Sequence, residues 1–250
     1  MIMPRQARKK SESGIYHIML RGINRQVIFE DEEDLSVFLK TIKMYKTEFD
    51  CRIYAYCLMK NHVHLLIKID NDELHKYMRK AAAKYVYWYN WKYDRVGGLF
   101  QDRYKSEPVE DDGYFLAVLR YIHQNPVKAG ICGSIAEYKD SSYNEYIRPR
   151  THQITDTDFA LSMLSKEQFV NYTNEESHDK CLDTQEIVRV NDSEAKAIIR
   201  EISMCDNVAQ FQALPRDTRN TFLSELKVKG LSVRQIERLT GINRGLVQKA

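Results

Sequence analysis

Two histidines separated by one residue, His62-Val63-His64, are the first place in this chain where chemistry is suggested. They lie in Leu58-Met59-Lys60-Asn61-His62-Val63-His64-Leu65-Leu66-Ile67, an apolar run that reads as extended chain after a tight turn at Lys60-Asn61. Residues two apart on a strand share a face, so both imidazoles project together while Val63 points the other way. Each buried ring needs a hydrogen-bond partner, which makes a pair poor core filler. The pair therefore reads either as two polar strand residues or as two nitrogen ligands for a metal ion. A second group lies in Tyr114-Phe115-Leu116-Ala117-Val118-Leu119-Arg120-Tyr121-Ile122-His123-Gln124-Asn125-Pro126-Val127. Phe115, Val118, Leu119 and Ile122 make a buried helical stripe, and Tyr121 and Asn125 sit one turn apart on its flank. A tyrosine there is most simply a boundary aromatic, its ring buried and its hydroxyl wet. His123 falls on a different helical face from Tyr121 and reads as structural or supporting.

The elements that would carry these residues follow from periodicity. Residues 15–20 read as a strand between Gly14 and Arg21-Gly22. The acidic run 30–34 precedes Leu35, Phe38, Leu39 and Ile42, which predicts a helix over 31–48 with carboxylates at its positive end. Residues 52–58 and 62–69 make a hairpin. A long aromatic-rich helix spans 72–93 and is broken by Gly97-Gly98. Residues 100–109 are extended, and Asp111-Asp112 caps a helix that Pro126 should end at Asn125. The order β-α-β-β-α-β followed by a helix is that of an α+β, ferredoxin-like split βαβ core, an antiparallel sheet with helices on one face. Beyond Tyr146 helical stripes recur over 156–172 and 192–205. Three amphipathic helices then close the chain over 218–229, 233–239 and 244–249, the last two joined through Gly241-Ile242-Asn243. Two short helices about a glycine turn suit a helix-turn-helix, with Arg244, Gln248 and Lys249 as DNA contacts, or an ordinary helical hairpin.

Charge divides the chain into the same parts. Residues 1–150 carry 25 Lys+Arg against 20 Asp+Glu, residues 151–207 carry 5 against 12, and residues 208–250 carry 8 against 3. The expected domains are a catalytic region 1–150, an acidic helical connector 151–207 and a helix-turn-helix module 208–250. Two basic modules flanking an acidic stretch suit a polyanion-binding protein, although ordinary surface charge gives the same sums. Five cysteines at long spacings point to reduced thiols in the cytoplasm rather than a disulfide framework or a zinc site. No apolar run reaches the length of a membrane span, and the basic N-terminus lacks the apolar segment of a secretory signal. No GxxxxGK[ST] loop for a nucleotide is present.

Taken together, the His62-Val63-His64 strand and the helix carrying Tyr121 and Asn125 before Pro126-Val127-Lys128-Ala129-Gly130 resemble the HUH single-tyrosine transposase family. More narrowly, they resemble its REP-associated and bacterial insertion-sequence members. Tyr16-His17-Ile18-Met19-Leu20-Arg21-Gly22-Ile23-Asn24-Arg25 with Ile28-Phe29, and Gly97-Gly98-Leu99-Phe100-Gln101-Asp102-Arg103-Tyr104-Lys105-Ser106, extend the similarity over residues 14–147. The resemblance implies that His62, His64 and Asn125 ligate a divalent ion, magnesium or manganese. It implies that Tyr121 attacks the DNA backbone to give a 5′-phosphotyrosine and a free 3′-hydroxyl. The implied partner is single-stranded hairpin DNA at the bacterial nucleoid, with Arg5, Arg8, Lys9, Lys10, Arg21, Arg25, Arg103 and Lys105 as backbone contacts. The tail would add duplex DNA, and a homodimer exchanging tyrosine helices stays open. Aromatics over 85–93 would either stack on bases or pack in the core. Lys60 stands where many family members carry proline. The competing expectations are a DNA-binding regulator with an idle nuclease core, and a phosphoesterase that uses water.

Overall fold

Carboxylates start the helices that bracket the sheet. In the computed structural model, which describes residues 8–148, 153–177, 179, 181–182 and 192–249, β1 (Ile15–Arg21) leads through a 3-10 turn into α1 (Glu32–Glu48). The Asp31 side chain accepts from the backbone N–H groups of Glu33 and Asp34 at 3.0 and 3.1 Å. A cap of this kind contributes about 1 kcal/mol. The hairpin β2 (Arg52–Met59) and β3 (His62–Lys68) follows, then α2 (Leu74–Lys92) and the short β4 (Lys105–Pro108). Asp111 next caps α3 (Asp112–Lys128) by accepting from Tyr114 N at 2.7 Å.

The strands pair antiparallel in the order β2-β3-β1-β4, the split βαβ topology expected of an α+β ferredoxin-like core. Strand alternation sorts the core into two faces. Tyr16, Ile18, Leu20, Val63, Leu65 and Ile67 pack with Phe38, Ile42, Tyr77 and Tyr85 of α1 and α2. Ile15 and Leu66 belong to a second cluster with Phe115, Val118, Leu119 and Ile122 of α3. The two crossover helices thus lie on one face, as split βαβ connections require. The other face is not an open platform, because α3 lies across it.

Three sequence expectations are revised. The α3 helix does not stop at Asn125 but runs through Pro126 to Lys128. Gly130 (φ +68°) closes it, with Gly130 N–H donating to the Val127 carbonyl and Ile131 N–H to the Pro126 carbonyl, both at 2.9 Å. This Schellman closure satisfies the terminal carbonyls and offsets the bond that proline cannot donate. Strand β4 is shorter than expected: Phe100 makes only an isolated bridge to Gly22, and a bend over 101–103 interrupts the pairing.

The third revision concerns the acidic stretch, which is not a freestanding connector. The chain forms two compact units, Met1–Leu182 and Asp183–Ala250. In the first, α4 (Tyr143–Ile147), α5 (Asp158–Met163) and α6 (Lys166–Asn174) place Tyr143, Tyr146, Ala160 and Phe169 in the α3 cluster. The second unit comprises α7 (Asp192–Ser203), α8 (Val208–Ala213), α9 (Arg216–Val228), α10 (Val233–Thr240) and α11 (Arg244–Lys249). Its core contains Ala195, Phe211, Leu223, Ile236, Ile242 and Val247. Apolar residues spaced among the acidic ones therefore commit each half of 151–207 to a different core. Among the described residues no helix is long and apolar enough to cross a membrane.

Candidate active site

The hairpin turn that delivers His62 is pinned from below. Gly22 N–H donates to the Asn61 carbonyl at 2.9 Å and Ile28 N–H to the Lys60 carbonyl at 2.7 Å. A side chain on Gly22 would meet the Gln26 carbonyl and the Ile28 side chain, so β1 can leave the sheet here only through glycine. Cross-strand neighbours share a face, and the register lays out the site row by row. Met59, His62 and Arg21 form one row; Cys57, His64, Met19 and Lys105 the next; Leu66, His17 and Glu107 lie in a third.

Across this face lies the tyrosine helix. The Tyr121 ring stands 5.6 Å from His64 and 5.8 Å from His17, centroid to centroid, and edge-on to both. Its residue is only 6% exposed. One turn on, Asn125 Nδ2 lies 3.4 Å from His64 Nε2. His62 and His64 are 5.1 Å apart. A single chain thus brings together Tyr121, His62, His64 and Asn125, the four residues singled out in the sequence. The passage of α3 through Pro126 keeps Asn125 in register with Tyr121.

The hydrogen bonds decide which nitrogens are offered. His62 Nδ1–H donates to Asn61 Oδ1 at 2.6 Å, which leaves the lone pair of the ring on Nε2. His64 Nδ1 lies 3.0 Å from Nε2 of His17. His17 and His64 are fully buried. Burial pushes the His17 imidazole down to about 3, and burial, then the neighbouring imidazoles, hold His64 well below the usual histidine range. Both are neutral near pH 7, the form in which imidazole binds metals. Among the described residues no three His, Cys, Asp or Glu side chains converge as a metal cluster. The donor set that fits a divalent ion is two imidazole Nε2 atoms and the Asn125 amide, with both Nδ1 positions already occupied by protein partners.

The expected DNA contacts divide. Arg8, Lys9, Arg103 and Lys105 line one depression of about 410 Å³ together with Tyr104. The Arg8 guanidinium stacks 3.8 Å from the Tyr104 ring centroid. Register places Lys105 in the His64 row and Arg21 in the His62 row, so the depression and the histidine face meet along β4. Lys10 is instead ion-paired with Asp72 at 3.0 Å. Arg25 is exposed in the turn after β1, Arg5 lies outside the described residues, and Arg244, Gln248 and Lys249 are exposed on α11 of the second unit. Of the aromatics over 85–93, Tyr85 and Tyr89 are buried in the core, whereas Tyr87 and Trp91 are exposed. His123 points away from the site, its Nε2 2.8 Å from Ser142 Oγ in an aromatic box of Tyr143, Tyr146 and Phe169.

Two neighbours of the site sit within the motif runs of the sequence, but no local spacing links them to the histidines or to Tyr121. His17 reaches it only through the β1–β3 register. Lys128, whose Nζ lies 5.7 Å from the Tyr121 ring centroid, does so only because α3 continues past Pro126.

The chain joins a split βαβ sheet carrying paired histidines to a helix carrying a tyrosine, and comparison with known proteins finds relatives of that build. Residues 10–125 match the model of the family described as "Transposase IS200 like". A "Putative REP-associated tyrosine transposase" of Haemophilus influenzae is 24% identical over 124 residues, covering 45% of this chain and 68% of that protein. The solved structure of a REP-associated tyrosine transposase bound to a REP hairpin shares the fold, with a TM-score of 0.51 and 16% identity, over 61% of this chain and 90% of that one. Through residues 10–125, a little under half of its length, the chain is thus similar to the IS200-like transposases.

Proposed function

We propose that this protein cleaves and rejoins single-stranded DNA beside a hairpin, in a metal-dependent reaction that passes through a 5′-phosphotyrosine at Tyr121. The observation that carries this is the meeting, within one chain, of the Tyr121 phenol ring with His64, whose Nε2 faces the Asn125 amide. Tyr121 Oη attacks phosphorus and the 3′ oxygen leaves, which conserves the bond energy in the adduct. Attack by a 3′-hydroxyl then expels the phenol, a better leaving group than an alkyl hydroxyl, and rejoins the strand. A magnesium or manganese ion held by His62, His64 and Asn125 would supply positive charge at a non-bridging phosphate oxygen. Arg21, Lys105, Arg103, Arg8 and Lys9 continue that face as a basic track for the backbone. The hairpin on the fold relative supports a folded-back substrate here. Exposed Arg244, Gln248 and Lys249 on α11 suit a separate duplex contact. We further propose that the monomer is competent, since the site needs no residue from a second copy.

The test is incubation with a hairpin-bearing single strand and Mn²⁺, followed by denaturing electrophoresis. A covalent adduct in wild type, absent in Tyr121→Phe, is expected. Cleavage without adduct would mean that water is the nucleophile, and tight binding without cleavage would mean a regulator with an idle core.

A further inference from the structure

His17 is a costly residue for its place. It is fully buried on β1, and while its Nε2 meets His64 Nδ1 at 3.0 Å, its Nδ1 has no hydrogen-bond partner. A buried polar atom left unpaired is unfavourable, and an apolar side chain would fill the same space without that penalty. What an apolar side chain lacks is an acceptor for His64.

The protons along this line are fixed by what lies at its far end. Asn125 presents Nδ2, a donor, to His64 Nε2, so Nε2 carries a lone pair and the His64 proton sits on Nδ1. That N–H donates to His17 Nε2, and the His17 proton is therefore on Nδ1, the atom without a partner. His62 is held in the same tautomer by a different device, the Asn61 side-chain oxygen. Both histidines consequently keep their lone pair on Nε2, and that of His64 faces Asn125 beside Tyr121. An imidazole whose outer nitrogen were protonated could not bind a cation there.

We infer that His17 is a positioning residue: it accepts the Nδ1 proton of His64 and thereby keeps the His64 Nε2 lone pair directed at the cation site. The inference rests on the proposed metal reading of His62, His64 and Asn125, and it adds a residue that neither touches the ion nor attacks the DNA. Its role is distinct from filling the sheet face, because Phe would fill that volume and Gln would restore an acceptor.

The experiment is a Mn²⁺ titration of the full-length protein, following free Mn²⁺ by electron paramagnetic resonance, on wild type, His64→Ala, His17→Phe and His17→Gln. Loss of a hydrogen-bond partner behind a metal-binding histidine typically weakens affinity roughly 10–100-fold. We expect that loss in His17→Phe and recovery to within a few-fold of wild type in His17→Gln. Wild-type affinity in His17→Phe, with binding lost in His64→Ala, would overturn the role of His17 alone. Wild-type affinity in His64→Ala would overturn the metal reading and the role of His17 with it. Nitrogen-15 spectra of metal-free wild type give a second measurement that needs no variant to fold. They should show His64 protonated at Nδ1, and protonation at Nε2 would overturn the inference.

Discussion

At the scale of single residues, the site places a cation beside its proposed nucleophile. Lys128 Nζ stands 5.7 Å from the Tyr121 ring centroid, a positive charge next to the phenol that the proposed reaction expels when the strand is rejoined. Lys128→Ala should slow adduct formation about tenfold near neutral pH. The deficit should narrow as pH is raised; a pH profile identical to wild type would remove Lys128 from the chemistry. The basic track makes a second prediction. Removing one cation that neutralises a phosphate lowers the salt slope of single-strand binding by about 0.7. Arg103→Ala and Lys105→Ala should each show that decrement in a fluorescence titration across salt concentrations. Lys10→Ala should show little, because Lys10 is already engaged with Asp72. Equal slopes for all three would mean that the depression beside β4 is not the path of the strand.

At the scale of elements, placement depends on two turns. Gly130 at φ +68° closes α3 just beyond Asn125, and a side chain there is strained. Gly130→Ala should cost about 1 kcal/mol in urea unfolding. Gly22→Ala should cost about 1–3 kcal/mol, since a backbone carbonyl must move to admit the methyl group. If Gly22→Ala leaves the unfolding midpoint unchanged, the turn beneath Asn61 is looser than its hydrogen bonds indicate. These turns also mark where the sequence could be read and where it could not. His62 and His64 were legible because a period of two is intrinsic to a strand, and Tyr121 and Asn125 because four residues make about one helical turn. The continuation of α3 was hidden, since proline's local preference argues for a stop and only the Gly130 closure overrides it. His17 was hidden for a different reason. Its neighbours come from register between strands about 45 residues apart in the chain, and no local pattern encodes that pairing. The fate of the acidic stretch was obscured by its composition, in which surface charge masks the few apolar residues that choose a core.

At the scale of the whole molecule, three buried neutral imidazoles tie stability to pH. Burial pushes His17 and His123 down to about 3, and holds His64 well below the usual range by burial and then by its histidine neighbours. An unfolded histidine titrates near 6.5. As pH falls below about 6.5 the unfolded chain takes up protons that the folded chain refuses, so stability is complete above that pH and declines toward about 3. The metal-free protein should lose up to about 1.4 kcal/mol per pH unit for each such histidine. Urea midpoints at pH 7 and pH 5 would measure this, and His123→Gln should narrow the gap between them. A flat response would mean that these rings are protonated in the folded state. Division into two units carries a separate prediction. A chain ending at Leu182 should still form the tyrosine adduct on hairpin single strands while losing affinity for duplex. Loss of the adduct as well would show that the second unit contributes to the reaction.

The proposed nucleophile and one proposed arm of the metal clamp share a single helix, α3. Because Tyr121 and Asn125 are successive turns of α3, any displacement of that helix would shift both together, whereas His62 and His64 belong to β3. The proposed phenol nucleophile and the proposed amide ligand are therefore mechanically one unit, held to the sheet by the same buried residues, Phe115, Val118, Leu119 and Ile122.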